Sequence, residues 1–151
     1  MSAVPVPYAG IASRAVALGI DVLLADLIVI LGAALLALVG SLVGEFELDT
    51  PGKLLAAAAW AAFIVTYFVV FWTSTGQTPG MRALGLRVTT RDGGRLGIGM
   101  ALVRVLGLGL AIVPLFAGFL PVLVDDRRRA LQDFMAGTIV VYDEGSAVAP
   151  A

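Results

Sequence analysis

The chain has 151 residues, 60% of them hydrophobic and 14% charged, with a mean hydropathy of +0.99 and a formal net charge of −1. Soluble domains carry about 45–50% apolar and about 25% charged residues, so this composition excludes a soluble fold and indicates one membrane domain over residues 1–151. Cysteine and histidine are both missing. That removes disulfides, thiolate nucleophiles, haem and iron–sulfur ligation and the usual zinc sites, so neither a metal nor a cofactor is expected.

The chain opens on an irregular stretch broken by Pro5, Pro7 and Gly10. The first apolar segment is too long, and too interrupted by Asp21 and Asp26, for a cleaved signal peptide, and reads as a permanent helix over 14–43 with Ser13 as its cap. At about 1.5 Å per residue it exceeds the hydrocarbon core of about 30 Å. An acidic loop follows, with Glu45, Glu47 and Asp49. Thr50 then Pro51 is a helix-start signal, and a second helix is expected over 53–73, apolar all round, with Trp72 at an interfacial belt position.

Residues 74–97 form a polar loop. Within it "TSTGQTPGMR" reads as a loop or a short interfacial helix, without the spacing of a phosphate loop. "LGLRVTT" alternates apolar and polar, and "RDGGR" supplies a turn, which together predict a strand and a tight return. The third apolar segment, 98–124, carries Arg104 near its start and is broken by Pro114, Gly118 and Pro121. Over 126–136, Ala130, Leu131, Phe134 and Met135 recur at helical spacing behind Arg127, Arg128 and Arg129, which predicts an amphipathic helix lying at the interface and ended by Gly137. "TIVVY", 138–142, reads as a strand.

Arginines favour the cytoplasmic side. Arg14 and the acidic first loop put the N-terminus inside, and Arg82, Arg87, Arg91 and Arg95 then fall inside as well. A third segment that crossed once would carry the triple arginine outside. A re-entrant hairpin turning at Pro114 to Pro121 keeps every arginine cluster in the cytoplasm and is favoured over a third span; it also lets "LRVTT" and "TIVVY" share one sheet. The expected class is an all-α membrane protein in a bacterial cell membrane. It has two transmembrane helices, the third apolar segment, a small cytoplasmic β element and the C-terminal interfacial helix.

Arg14 and Asp21 are seven residues apart and share a helix face, about 10 Å apart in rise. Asp26 lies about 18 Å from Arg14 on a face rotated away. A charged aspartate at mid-membrane costs at least about 2.5–3.5 kcal/mol, so a partner is required, and Arg104 is the expected one for Asp21. Asp21 then either orients the third segment through an ion pair or faces a water-filled path and binds a proton or sodium ion. Asp26 has no evident partner; protonation, an assembly interface and ion binding are all open to it. The triple arginine suits anionic lipid rather than nucleic acid. No side chains have the arrangement of a nucleophile with its base, so an enzyme is not expected.

"SRAVALGID" resembles the arginine-then-aspartate opening of the RDD family of bacterial membrane proteins, "TGQTPGMRALGLRVTTRDGGRLGIGMALVR" resembles its middle and "RRRALQDFMAGTIVV" its closing segment. The resemblance assigns the signature positions to Arg14, Asp21 and Asp133. It places Gln132 where many relatives have histidine, and Arg82 where lysine is usual. It implies no single function: some members are implicated in sodium/proton antiport, and others are small partners of larger membrane systems, including lipid transporters. Two roles are therefore expected, an accessory subunit of a larger membrane complex first, and an oligomeric ion transporter second, with the lipid bilayer and a membrane-protein partner or a second copy as neighbours.

Overall fold

Two apolar stretches without an internal proline break make two long helices, α1 over Ile11–Val43 and α2 over Thr50–Ser74. Each is long and apolar enough to cross a bilayer, with 18-residue stretches of mean hydropathy 2.9 and 2.3, so the chain is a mostly helical membrane protein with two candidate membrane-spanning helices. The structure, a computed structural model, describes residues 8–43 and 49–143. Glu45 and Glu47 of the acidic loop, most of the irregular opening and the tail after Asp143 lie outside the described residues.

Both helix starts differ from expectation. α1 begins at Ile11, ahead of Ser13, whose hydroxyl instead meets that of Tyr142 at 2.7 Å. α2 is capped by Asp49 rather than Thr50: the Asp49 carboxylate accepts from the Gly52 N–H at 2.9 Å, and Pro51 sits in the first turn, where a missing N–H costs nothing. Trp72 is not at an interface. It is 4% exposed, its ring 5.0 Å from that of Phe68 and 4.8 Å below the Arg104 guanidinium.

The polar loop contains one helical turn and one strand. Thr78 caps α3, Pro79–Ala83, by accepting from the Met81 N–H at 3.2 Å, and β1 follows over Leu86–Thr90. The tight return expected at "RDGGR" does not pair with β1. Hydrogen bonds from Thr90 N to Gly94 O and from Gly93 N to Thr90 O, both 3.0 Å, close a local turn, and the chain runs on into α4, Ile98–Ile112.

The third apolar segment is two pieces. α4 and a 3₁₀ helix, Ala117–Leu123, meet at 103°. Pro114 has no N–H to continue α4, and Leu115 (φ 51°) and Phe116 (φ 64°) turn the backbone through the left-handed region. After this bend α5 covers Leu131–Ala136 and β2 Thr138–Tyr142. The helix expected over 126–136 is thus confined to its second half. Asp125 Oδ2 accepts from the backbone N–H of Arg127 (3.1 Å) and Arg129 (3.0 Å), and Arg128 takes φ 49°, so the arginine run is a turn.

β1 and β2 pair antiparallel, from Leu86 opposite Tyr142 to Thr90 opposite Thr138. The third segment therefore leaves from one strand of this sheet and returns to the other. The start of the chain joins them: Tyr8 bridges to Val141, and Ala9 N donates to Val140 O at 2.9 Å. α1 packs on α3, α2 on α4, and α4 on α5. The α4–α5 contact needs Gly107, because a Cβ there would stand 2.7 Å from the Gln132 Cα. The core (Phe68, Trp72, Met81, Val88, Phe119 and Val140 among others) sits at this base. Beyond it the outer halves of α1 and α2 are exposed on every side, as at Leu31, Leu35, Leu42, Leu54 and Leu55.

Candidate functional site

The buried face of α1 reads Arg14, Ala17, Asp21, Ala25, a stripe at spacings of three and four. Its two alanines let neighbouring backbone come close, and its two charged residues reach different partners.

Arg14 is held at every nitrogen. Nε donates to Ala9 O at 3.1 Å, Nη2 to Arg128 O at 2.6 Å, and Nη1 to Asp133 Oδ2 in a buried ion pair. Asp133 also receives Arg104 Nη1 on its other oxygen. The Ala130 N–H (2.9 Å) and the Thr138 hydroxyl (3.3 Å) complete its shell. The contact to Ala130 is the reciprocal half of a capping box, so the carboxylate that neutralises α1 and α4 also starts α5. Thr138 is in turn reached by Arg104 Nη1 at 2.5 Å. Burial pushes the Asp133 carboxyl up, but Arg104, Arg14 and the Ala130 N–H outweigh it, and the group is held below the usual carboxylate range.

The expected pair between Asp21 and Arg104 does not form, because Arg104 is engaged by Asp133. Asp21 is answered by neutral donors: the Tyr67 hydroxyl at 2.9 Å, the Gly80 N–H at 2.8 Å, and the Thr78 hydroxyl. It ties α1 to α2 and to the start of α3. Gly80 makes this possible, since a Cβ there would overlap the Ala17 carbonyl oxygen and stand 2.9 Å from Asp21 Cγ. Arg14 and Asp133 are thus in direct contact, and Asp21 is bonded to neither.

Asp26 lies outside this base. It is partly exposed on α1, and no hydrogen bond or ion pair reaches it among the described residues. Two further pairs sit at the periphery: Arg129 with Asp125 (2.7 Å) and Arg87 with Asp143 (2.6 Å). The hydrogen bond from Arg129 holds the Asp125 carboxyl well below its usual range.

Between the two carboxylate centres is a cavity of about 40 Å³, lined by Arg14, Asp21, Trp72, Thr78, Arg104 and Gln132 with apolar neighbours. That is enough for water, which needs about 10–15 Å³. Among the described residues, the buried side-chain polar atoms without a partner are Trp72 Nε1, Arg104 Nε and Gln132 Oε1, all on residues of this wall. Two are N–H donors, which suits a hydrogen-bond acceptor better than a cation. No group of three or more His, Cys, Asp or Glu side chains that could hold a metal ion occurs among the described residues.

Tyr67, Thr78, Gly80 and Thr138 went unread in the sequence as members of the site. Thr78-Pro79-Gly80 carries a signal, a cap followed by proline and a residue small enough for close approach. Tyr67 and Thr138 carry none, because a hydroxyl in an apolar stretch does not say which carboxylate it meets.

The RDD family model matches residues 8–137, and the chain belongs to the RDD family, a family of membrane proteins. The chain is also similar to the human protein named Protein FAM8A1, 28% identical over 109 residues, which are 62% of this chain and 26% of the human protein. It thus spans about a quarter of the length of that relative. No solved structure matches.

Proposed function

We propose that this RDD-family membrane protein is an accessory or stabilising subunit of a larger membrane transport complex, placed in a bacterial cell membrane with its N-terminus and sheet on the cytoplasmic side. The observation that carries this reading is the engagement of Asp21 and Asp133. Asp21 takes three donors and Asp133 two arginines, a backbone N–H and a hydroxyl, all from the chain itself. A carboxylate that loads and unloads a cation would have to surrender such donors at every turnover. As fixed struts, they hold α1, α2, α3, α4 and α5 in one arrangement while leaving the outer halves of α1 and α2 free for a neighbour. The 103° bend and the return of both ends of the third segment to one sheet support a re-entrant hairpin. Its non-helical turn must then be covered by protein at membrane depth.

Purification in mild detergent from the native host tests the proposal. A stoichiometric membrane-protein partner is the expected result, and recovery of the chain alone or as a self-oligomer overturns it.

One observation favours the second reading, an oligomeric sodium- or proton-coupled transporter: a carboxylate, Asp21, lines a buried cavity large enough for water. Under that reading, reconstituted protein shows ion-coupled flux that Asp21→Asn abolishes while the fold is kept. Flux that survives the substitution removes it.

A further inference from the structure

A groove of about 950 Å³ runs along α1, on the other side of Leu18 and Phe119 from the polar cavity, which the same two residues line. One wall is α1, through Ala15, Gly19 and Leu23, and the other is the bend of the third segment, through Ile112, Phe116 and Leu120. Its lining is wholly apolar, and its volume falls at the upper end of the about 300–1,000 Å³ typical of small-molecule sites. From Ile11 at one end to Leu23 at the other, the helix rises about 18 Å. One leaflet of a hydrocarbon core is about 15 Å deep, so the groove is one leaflet long.

The Ile11 end is positively charged. The arginine turn is pinned there, with Arg14 Nη2 on Arg128 O at 2.6 Å and Arg128 Nη1 3.5 Å from Tyr8 O. Arg129 is neutralised by Asp125 through contacts of 2.9 and 2.7 Å. Arg127 and Arg128 stay exposed, against the single exposed carboxylate of Asp126. The first turn of the long helix α1, which holds no acidic residue, adds its unpaired N–H groups to the same end.

An apolar slot one leaflet deep with cations at its mouth is the complement of an anionic phospholipid. We propose that the groove binds one acyl chain of such a lipid from the arginine-side leaflet, with the phosphate at Arg127 and Arg128.

The test is native mass spectrometry of the intact chain exchanged into phosphatidylglycerol or into phosphatidylcholine of the same acyl composition. The unsubstituted protein is expected to retain one phosphatidylglycerol in preference to phosphatidylcholine. Arg127→Gln reduces that preference about fivefold, the worth of one arginine near an anionic surface, and leaves the melting temperature unchanged. Gly19→Leu meets no atom within 4 Å at its Cβ, so it folds and fills the groove; it is expected to lose both lipids. Ala15→Phe repeats that test from one helical turn away. Equal retention of the two lipids by the unsubstituted protein overturns the proposal. So does full retention of phosphatidylglycerol by both groove-filling variants, or a change of oligomeric mass on filling the groove, which assigns it to a second copy of the chain.

Discussion

The inner and outer halves of α1 are both predominantly apolar and have opposite surroundings. From Ile11 to Ala25 the helix carries Arg14 and Asp21, both buried, the first against Asp133 of α5 and the second against α2 and α3. From Leu27 to Leu42 it carries no charge and is mostly exposed among the described residues. In water the apolar half would be the core and the charged half the surface. Here the packing order is reversed, because lipid serves an apolar side chain as well as protein does and serves a carboxylate far worse. What fixes the tertiary arrangement is therefore the small set of polar residues, and the apolar majority fixes only that the helix enters the bilayer.

The sharpest way to break that contrast is Asp133→Asn. It leaves the Arg14 and Arg104 guanidiniums buried without a counter-charge, and removal of one partner from a buried ion pair costs about 3–5 kcal/mol. A large fall in melting temperature, or no folded protein in detergent, is expected. The intact group also gives a signed pH dependence. Its folded carboxyl lies below the unfolded value of about 3.9, so its contribution is complete above that pH and is lost as the pH falls further. Melting curves that are flat from pH 7 to 5 and drop steeply towards 3 are expected. Gly80→Ala follows in size. Its Cβ overlaps the Ala17 carbonyl and must push α3 off α1, a cost of about 1–3 kcal/mol read in the same melt. Tyr67→Phe removes one of three donors from Asp21, for about 0.5–1.5 kcal/mol. Leu35→Ala closes the series. In the isolated chain it changes stability by less than about 0.5 kcal/mol, so any larger effect in the native membrane measures a contact with another chain.

The sequence made some of this legible. Hydropathy placed both long helices, alternation placed the first strand, the apolar β-branched run "TIVVY" the second, and the seven-residue spacing put Arg14 and Asp21 on one face. Arg104, a lone charge in an apolar run, announced its burial. The pairing was not legible. Spacing along α1 says that two charges point the same way, but not which groups from α4 and α5 arrive there. Asp133 was screened by its own neighbourhood, since Arg127 to Arg129 and the Leu131, Phe134 and Met135 pattern suggest a surface helix with its polar side in water. In the fold Gln132 and Asp133 point inward, and Phe134 and Met135 are the exposed pair. Trp72 misled for the same reason, because an aromatic near a helix end has two environments open to it and Arg104 supplied the second.

Arg14 and the carboxylate that neutralises it are 119 positions apart. A chain made from its N-terminus therefore inserts α1, and later Arg104, before the group that stabilises either guanidinium has been synthesised. The emergence of α5 and β2 supplies Asp133 to both arginines and β2 to β1. Closure of the ion-pair centre in this protein is thus an event of late synthesis, and a nascent chain halted between α4 and α5 has only the Asp21 contacts of Tyr67, Thr78 and Gly80 to join α1 to α2 and α3.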